Sequence, residues 1–223
     1  MHDSSSLASF GIARDKLIAE LKELGINEAV RNAIAQIPRE RFLSPAFQGE
    51  AYKNSALPIG ESQTISQPYV VALMTHALDL HRNHKVLEIG TGCGYQTALL
   101  SKFVRRVFTI ERFESLSKAA EARLHDLRIY NFATKVGDGT LGWPEQAPFD
   151  RIMATAASPQ PPQALLDQLA VGGVMVIPIG EVDAPMQRLM RYYKREDGSI
   201  GEYFLGDVRF VPMVGKQGVP ESA

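Results

Sequence analysis

Apolar residues recur at helical spacing twice near the start of the chain, first at Leu17, Ile18, Leu21 and Leu24, then at Val30, Ala33, Ile34 and Ile37. Gly25 separates the two runs and Pro38 closes the second, which predicts helices over 14–24 and 28–37. A third helix is predicted over 69–80, with Val70, Leu73, Met74, Ala77 and Leu78 on one face. The intervening residues 44–68 are rich in Gly, Ser, Pro and Gln and have no clear period. A loop of that length inside a compact domain is more often functional than idle. From residue 81 the pattern alternates regularly, with strands predicted over 85–90, 106–111, 132–136, 150–155 and 173–179 and helices over 95–104, 114–127 and 161–170. Repeated strand–helix alternation predicts an α/β chain whose mostly parallel sheet is covered on both faces and binds ligands at its C-terminal strand ends. Two last runs, 187–193 and 200–210, flank Glu196-Asp197-Gly198-Ser199 and predict a C-terminal antiparallel hairpin. Residues 1–13 are small and polar and are expected to be a disordered tail. The rest, 14–223, reads as one domain: N-terminal helices and site loop to 80, a ligand-binding core over 81–180, and terminal strands over 181–223.

Composition narrows the partners. The 223 residues are 45% hydrophobic and 22% charged with a net charge of −1, so no global basic field exists to collect nucleic acid. No signal peptide or membrane span is legible, and the single cysteine, Cys93, excludes an internal disulfide and suits a reducing, cytoplasmic setting. No helix face lacks an obvious core role, which points to a monomer. The five histidines fall outside the candidate loops, and no His, Cys or Asp cluster has metal-ligand spacing, so no metal is expected.

The chemistry is carried by Val86-Leu87-Glu88-Ile89-Gly90-Thr91-Gly92-Cys93-Gly94-Tyr95-Gln96-Thr97, an apolar strand that breaks into glycines and restarts as a helix. A dinucleotide fingerprint needs Gly-x-Gly-x-x-Gly, and here Tyr95 stands in place of the third glycine. Glu111, at the end of the next strand, can accept both ribose hydroxyls. A nucleoside ligand without a phosphate cradle is implied, and S-adenosylmethionine is favoured over a nicotinamide or flavin. Gly137-Asp138-Gly139 offers an Asp side chain and a backbone amide for an adenine ring, although an isolated Asp-Gly is commonly a plain turn. Small residues Ala154-Thr155-Ala156-Ala157-Ser158 follow the fourth strand and supply no acceptor for an amine proton. A substrate carboxylate, ionised above about 4, needs no base, so an acid suits this site as nucleophile. Ser66 stands before Pro68 and reads equally as a helix cap or as a functional hydroxyl.

With these pieces assembled, the chain resembles the protein-L-isoaspartate (D-aspartate) O-methyltransferase family. The resemblance rests on Leu57-Pro58-Ile59-Gly60, Thr64-Ile65-Ser66-Gln67-Pro68, the glycine loop, Gly137-Asp138-Gly139, Ala147-Pro148-Phe149-Asp150, Leu166-Asp167-Gln168-Leu169 and Arg209-Phe210-Val211-Pro212, in order from about 14 to 215. It implies a Rossmann-like class I methyltransferase sheet with added N-terminal helices. It also implies methyl transfer from S-adenosyl-L-methionine, leaving S-adenosyl-L-homocysteine, to the free α-carboxylate of isoaspartyl residues in damaged proteins and peptides. Carried over by position, Ser66 is the active-site serine. Gln63, Thr64, Ser66, Gly90, Gly92, Cys93, Gly94, Glu111, Asp138 and Gly139 are cofactor contacts. Cys93 replaces a serine common in the family, and Val214 stands where some members have threonine. Another S-adenosylmethionine-dependent O-methyltransferase, acting on a small carboxylate or phenol, is the next reading.

Overall fold

The computed structural model describes residues 4–181 and 184–220. The chain opens with α1 (Ser4–Glu23) and α2 (Glu28–Gln36), turns through a small hairpin of β1 (Leu57–Gly60) and β2 (Gln63–Ile65), and enters α3 (Pro68–Ala77). The core then runs β3 (Lys85–Ile89), α4 (Tyr95–Ser101), β4 (Arg106–Glu111), α5 (Glu114–Asp126), β5 (Phe132–Val136), β6 (Phe149–Ala154), α6 (Gln163–Asp167) and β7 (Leu169–Ile179). It finishes with β8 (Gln187–Lys194) and β9 (Ile200–Val208).

One seven-stranded sheet has the order β5-β4-β3-β6-β7-β8-β9. The first five strands pair in parallel and the last two add antiparallel, as the sequence predicts. Chain order reverses at β3, which lies between β4 and β6, so a crevice opens at their C-terminal ends where open α/β sheets bind ligands. Period-two patterning explains the two cores: Val86, Val107 and Met153 join the apolar cluster under α1 to α4, while Leu87, Phe108 and Ile152 join the one on the other face.

The N-terminal helices are tied to this frame by polar contacts as well as packing. Asn27 caps α2 by accepting from Val30 N at 2.9 Å. The carbonyls at and just beyond the end of α3 accept from two strand arginines, Ala77 from Arg191 of β8, and Leu78 and Asp79 from Arg151 of β6.

Three expectations are corrected. The start is helical from Ser4, not disordered to residue 13, and only the first three residues of that expected tail lie outside the described ones. Phe10 packs on the core there with its ring 6.5 Å from Tyr52, and a contact across the chain leaves no periodic trace. Residues 44–68 contain the β1–β2 hairpin, whose turn residues Glu61 and Ser62 both have positive φ. The helix expected over 161–170 shrinks to α6 because Leu169 is already paired with Phe149 in the sheet.

Candidate active site

The crevice is built from the β3–α4 loop upward. Gly90 continues the sheet by donating to Ile110 O at 2.8 Å but has φ +91°, and Gly94, at φ +91°, is the N-cap of α4. A Cβ on Gly94 would stand 3.2 Å from the Ala120 Cβ, so its bareness lets α4 close on α5. From the end of β6, the Thr155 hydroxyl donates to Ile89 O at 3.0 Å and Gly90 O at 2.7 Å, fixing the loop from the other side. Glu111 completes the frame: one carboxylate oxygen accepts from Gly92 N at 2.7 Å and the other from Phe113 N at 3.0 Å.

Beneath the loop lies an acid that the sequence pattern does not single out. Glu88 is fully buried; its Oε2 accepts from the Thr97 hydroxyl at 2.5 Å and the Thr109 hydroxyl at 2.7 Å, and Thr109 in turn bonds Thr91 of the loop at 2.7 Å. Its Oε1 is buried with no partner. Burial pushes the carboxyl up to about 8, against the pull of the two hydroxyl donors, and Glu111 adds a like charge. At neutral pH it is protonated in most molecules. The available signal was one acid inside the run Val86-Leu87-Glu88-Ile89, whose neighbours on both faces are apolar.

The near wall is the β1–β2 hairpin and the residues leading into α3. Gln67, not Ser66, is the N-cap of α3 and makes no side-chain cap bond; Asn54 instead accepts from Tyr69 N at 2.9 Å. The capping alternative for Ser66 is thereby removed. Its carbonyl accepts from Arg39 Nη2 at 2.7 Å, while its half-buried hydroxyl makes no hydrogen bond among the described residues.

The far wall comes from the C-terminal segment. Ala157 exchanges backbone bonds with Val211 and Met213, at 2.8 and 2.7 Å, which docks 211–213 beside the end of β6. Asp138 anchors the chain just beyond this point: Oδ1 accepts from the Thr140 amide and hydroxyl at 2.9 and 2.6 Å, and Oδ2 accepts from Lys216 N at 2.8 Å. Partial burial raises this carboxyl, but the donors from Lys216 and Thr140 outweigh it and hold it below its ordinary value.

These walls enclose connected hollows. Gln63, Thr64, Gly90, Gly92, Glu111 and Gly139 line one cleft, with Val214 on its rim. Ser66 and Cys93 line a smaller chamber that shares Thr64, Gly90 and Gly92 with it. Burial pushes the Cys93 thiol up, so it is a neutral lining group. Asp138 lines an adjoining hollow that shares Arg112 and Phe113 with the cleft. On the opposite side Thr64 and Ser66 open into a wide groove walled by Gln67, Met186, Arg209 and Phe210. Of the expected site residues, only Gly94 lines none of these spaces. Among the described residues no group of three or more His, Cys, Asp or Glu is placed to hold a metal ion, and no helix is long and apolar enough to cross a membrane.

A parallel sheet with a glycine loop at its switch point, an acid at the end of the next strand and no phosphate cradle defines a Rossmann-like, nucleoside-binding methyltransferase. Residues 12–218 match the profile of the protein-L-isoaspartate(D-aspartate) O-methyltransferase family. The chain is 50% identical over 207 residues to the protein-L-isoaspartate O-methyltransferase of Paramagnetospirillum magneticum, covering 92% of this chain and 95% of that protein. It is 52% identical over 206 residues to that of Dictyoglomus thermophilum, covering 92% of each. Among solved structures, one protein-L-isoaspartate O-methyltransferase superposes with a TM-score of 0.84 at 28% identity, over 92% of this chain and 67% of its own. A Plasmodium falciparum protein described as a protein-L-isoaspartate O-methyltransferase, in complex with S-adenosyl-L-homocysteine, superposes with a TM-score of 0.77 at 25% identity, over 89% of this chain and 97% of its own. The chain belongs to the protein-L-isoaspartate(D-aspartate) O-methyltransferase family.

Proposed function

We propose that the protein methylates the free α-carboxylate of L-isoaspartyl residues, and the side-chain carboxylate of D-aspartyl residues, in damaged proteins and peptides, using S-adenosylmethionine. The observation that carries this reading is the position of Ser66, whose unbonded hydroxyl stands where the glycine-loop cleft meets a groove open to solvent. Glu111, which among the described residues accepts only from backbone amides and is 5% exposed, suits ribose hydroxyls, and Gln63, Thr64, Gly90, Gly92 and Gly139 share its cleft. Asp138 and the Gly139 amide suit the adenine, with Oδ2 keeping one lone pair beyond its bond to Lys216.

When bound, S-adenosylmethionine supplies a methyl group on positively charged sulfur, which leaves as S-adenosylhomocysteine. The chain's contribution is alignment and the exclusion of water. Its donors hold the two reactants together, and positioning of that kind is worth roughly 7–11 kcal/mol in well-oriented reactions. Ser66 donates to the substrate carboxylate and leaves one oxygen facing the transferable carbon. No group in the chain needs to accept a proton, because the attacking acid arrives ionised. The methyl ester then closes to a succinimide, whose hydrolysis returns part of the material to normal aspartate. We further read the protein as a cytoplasmic monomer that acts on polypeptides and not on nucleic acid, in keeping with its net charge of −1 and its buried free thiol.

The test is transfer of labelled methyl to a synthetic isoaspartyl peptide beside its aspartyl twin. Label is expected on the first alone, released as methanol by mild base. Equal labelling of both peptides, or of neither, overturns the assignment and favours a small carboxylate or phenol as acceptor.

A further inference from the structure

Behind Ser66 lies a charge that no acid among the described residues neutralises. Arg39, in the 3-10 turn Arg39–Phe42, has no solvent exposure at all. Its Nε donates to Ala51 O at 2.8 Å and its Nη2 to Ser66 O at 2.7 Å, while Nη1 is buried without a hydrogen-bond partner. The guanidinium lies over the ring of Tyr95, 4.9 Å from its centroid, at the first residue of α4 beyond the glycine loop. The titratable groups that act on it are Tyr95, whose hydroxyl faces it beyond hydrogen-bond distance, and Cys93 and Tyr52; burial raises each of these, so all are neutral at pH 7 and none is a counterion. Glu40, the adjacent acid, is turned to Tyr52, whose hydroxyl it accepts at 2.6 Å.

An arginine does not shed its proton, and a buried charge without a counterion costs several kcal/mol. Chains retain such a group where an anion arrives in the working state. Both expected ligands bring one: the isoaspartyl carboxylate and the carboxylate of the methionine moiety. Arg39 is bonded to the backbone of Ser66 and so sits on the substrate side of the loop. We propose that Arg39 is a positioning residue of the methyl-transfer site, clamping Ser66 through its carbonyl and holding an uncompensated positive charge that favours the ionised carboxylate of the substrate. The field is strong there because the guanidinium is fully buried, where solvent screens it little. This rests on the reading that Ser66 receives the carboxylate.

Two ligands separate charge from architecture: an isoaspartyl peptide, and the same peptide with its α-carboxylate replaced by a carboxamide, used as a competitive inhibitor. In Arg39→Met, KM for the acid is expected to rise about tenfold or more, the scale of one lost charged interaction. The inhibition constant of the carboxamide should stay within about threefold, and Arg39→Lys, which restores the charge but not the fork, should return KM to within about threefold of wild type. Equal weakening of both peptides, or Arg39→Lys as impaired as Arg39→Met, reduces Arg39 to a structural clamp and overturns the proposal. Should Arg39→Met not fold, Arg39→Gln, neutral with two donors, is read by the same ratio; failure of both neutral variants to fold also overturns it. A wild-type protein that does not methylate the acid peptide refutes the functional reading itself, before any variant is compared.

Discussion

Replacing Glu88 by Gln removes a titrating group from the middle of the sheet while keeping its shape and an oxygen for Thr97 and Thr109. In the unfolded chain this carboxyl loses its proton near the ordinary 4.5, whereas in the native protein it keeps the proton until about 8. Between those values the native state binds more protons than the unfolded one, so stability falls as pH rises and levels off above about 8. The slope is roughly 1.4 kcal/mol per pH unit near pH 6 and halves as pH reaches about 8, so the wild-type protein loses roughly 2 kcal/mol from this one group between pH 6 and pH 8. Glu88→Gln loses nothing over that range, although its amide, facing the unpartnered position of Oε1, costs about 1–3 kcal/mol at every pH. Urea unfolding of both proteins at pH 6, 7 and 8, at fixed ionic strength, measures the difference directly. It should shift in favour of the variant by roughly 2 kcal/mol across the series; a difference constant to within about 0.5 kcal/mol refutes the argument that this acid is native-state protonated.

Ser66→Ala should lower kcat by about ten- to a hundredfold, the range of one hydrogen bond to a charged group, and leave S-adenosylhomocysteine affinity unchanged by calorimetry. A large loss of that affinity instead would place Ser66 among the cofactor contacts. Asp138→Ala frees Lys216 N and Thr140 together, so limited proteolysis should cut near 216 sooner than in wild type, with weaker S-adenosylhomocysteine binding alongside. Because donors hold this carboxyl low, the same release should occur in the wild-type protein as pH falls through its folded-state value. Gly90→Ala forces a Cβ into the Thr155 hydroxyl at φ +91°, which should cost about 2–4 kcal/mol and lower Tm in a thermal melt.

How much of this was legible in the sequence depends on the range of the interaction. The β3 to β7 alternation and the antiparallel finish were readable because each strand carries its own pattern, and the glycine loop because strand, turn and helix are contiguous. The β1–β2 hairpin was hidden because its turn uses Glu61 and Ser62 at positive φ where Gly or Asn is the usual signal, and its strands are four and three residues long. Phe10 was invisible because its contact lies across the chain at Tyr52. Arg39 and Glu88 escaped for a related reason: a charged residue looks solvated until the fold buries it, and only the fold puts Ser66 beside one and Thr109 beside the other.

The two rims of the cleft come from opposite ends of the sequence, Thr64 and Ser66 on one side and residues 210–214 on the other. During synthesis the parallel strands can pair and bury their apolar faces well before the second rim has left the ribosome. A chain ending at Val208 would keep all seven strands of the sheet and the small chamber beside Ser66, but would lack residues 211–214, which line the cleft.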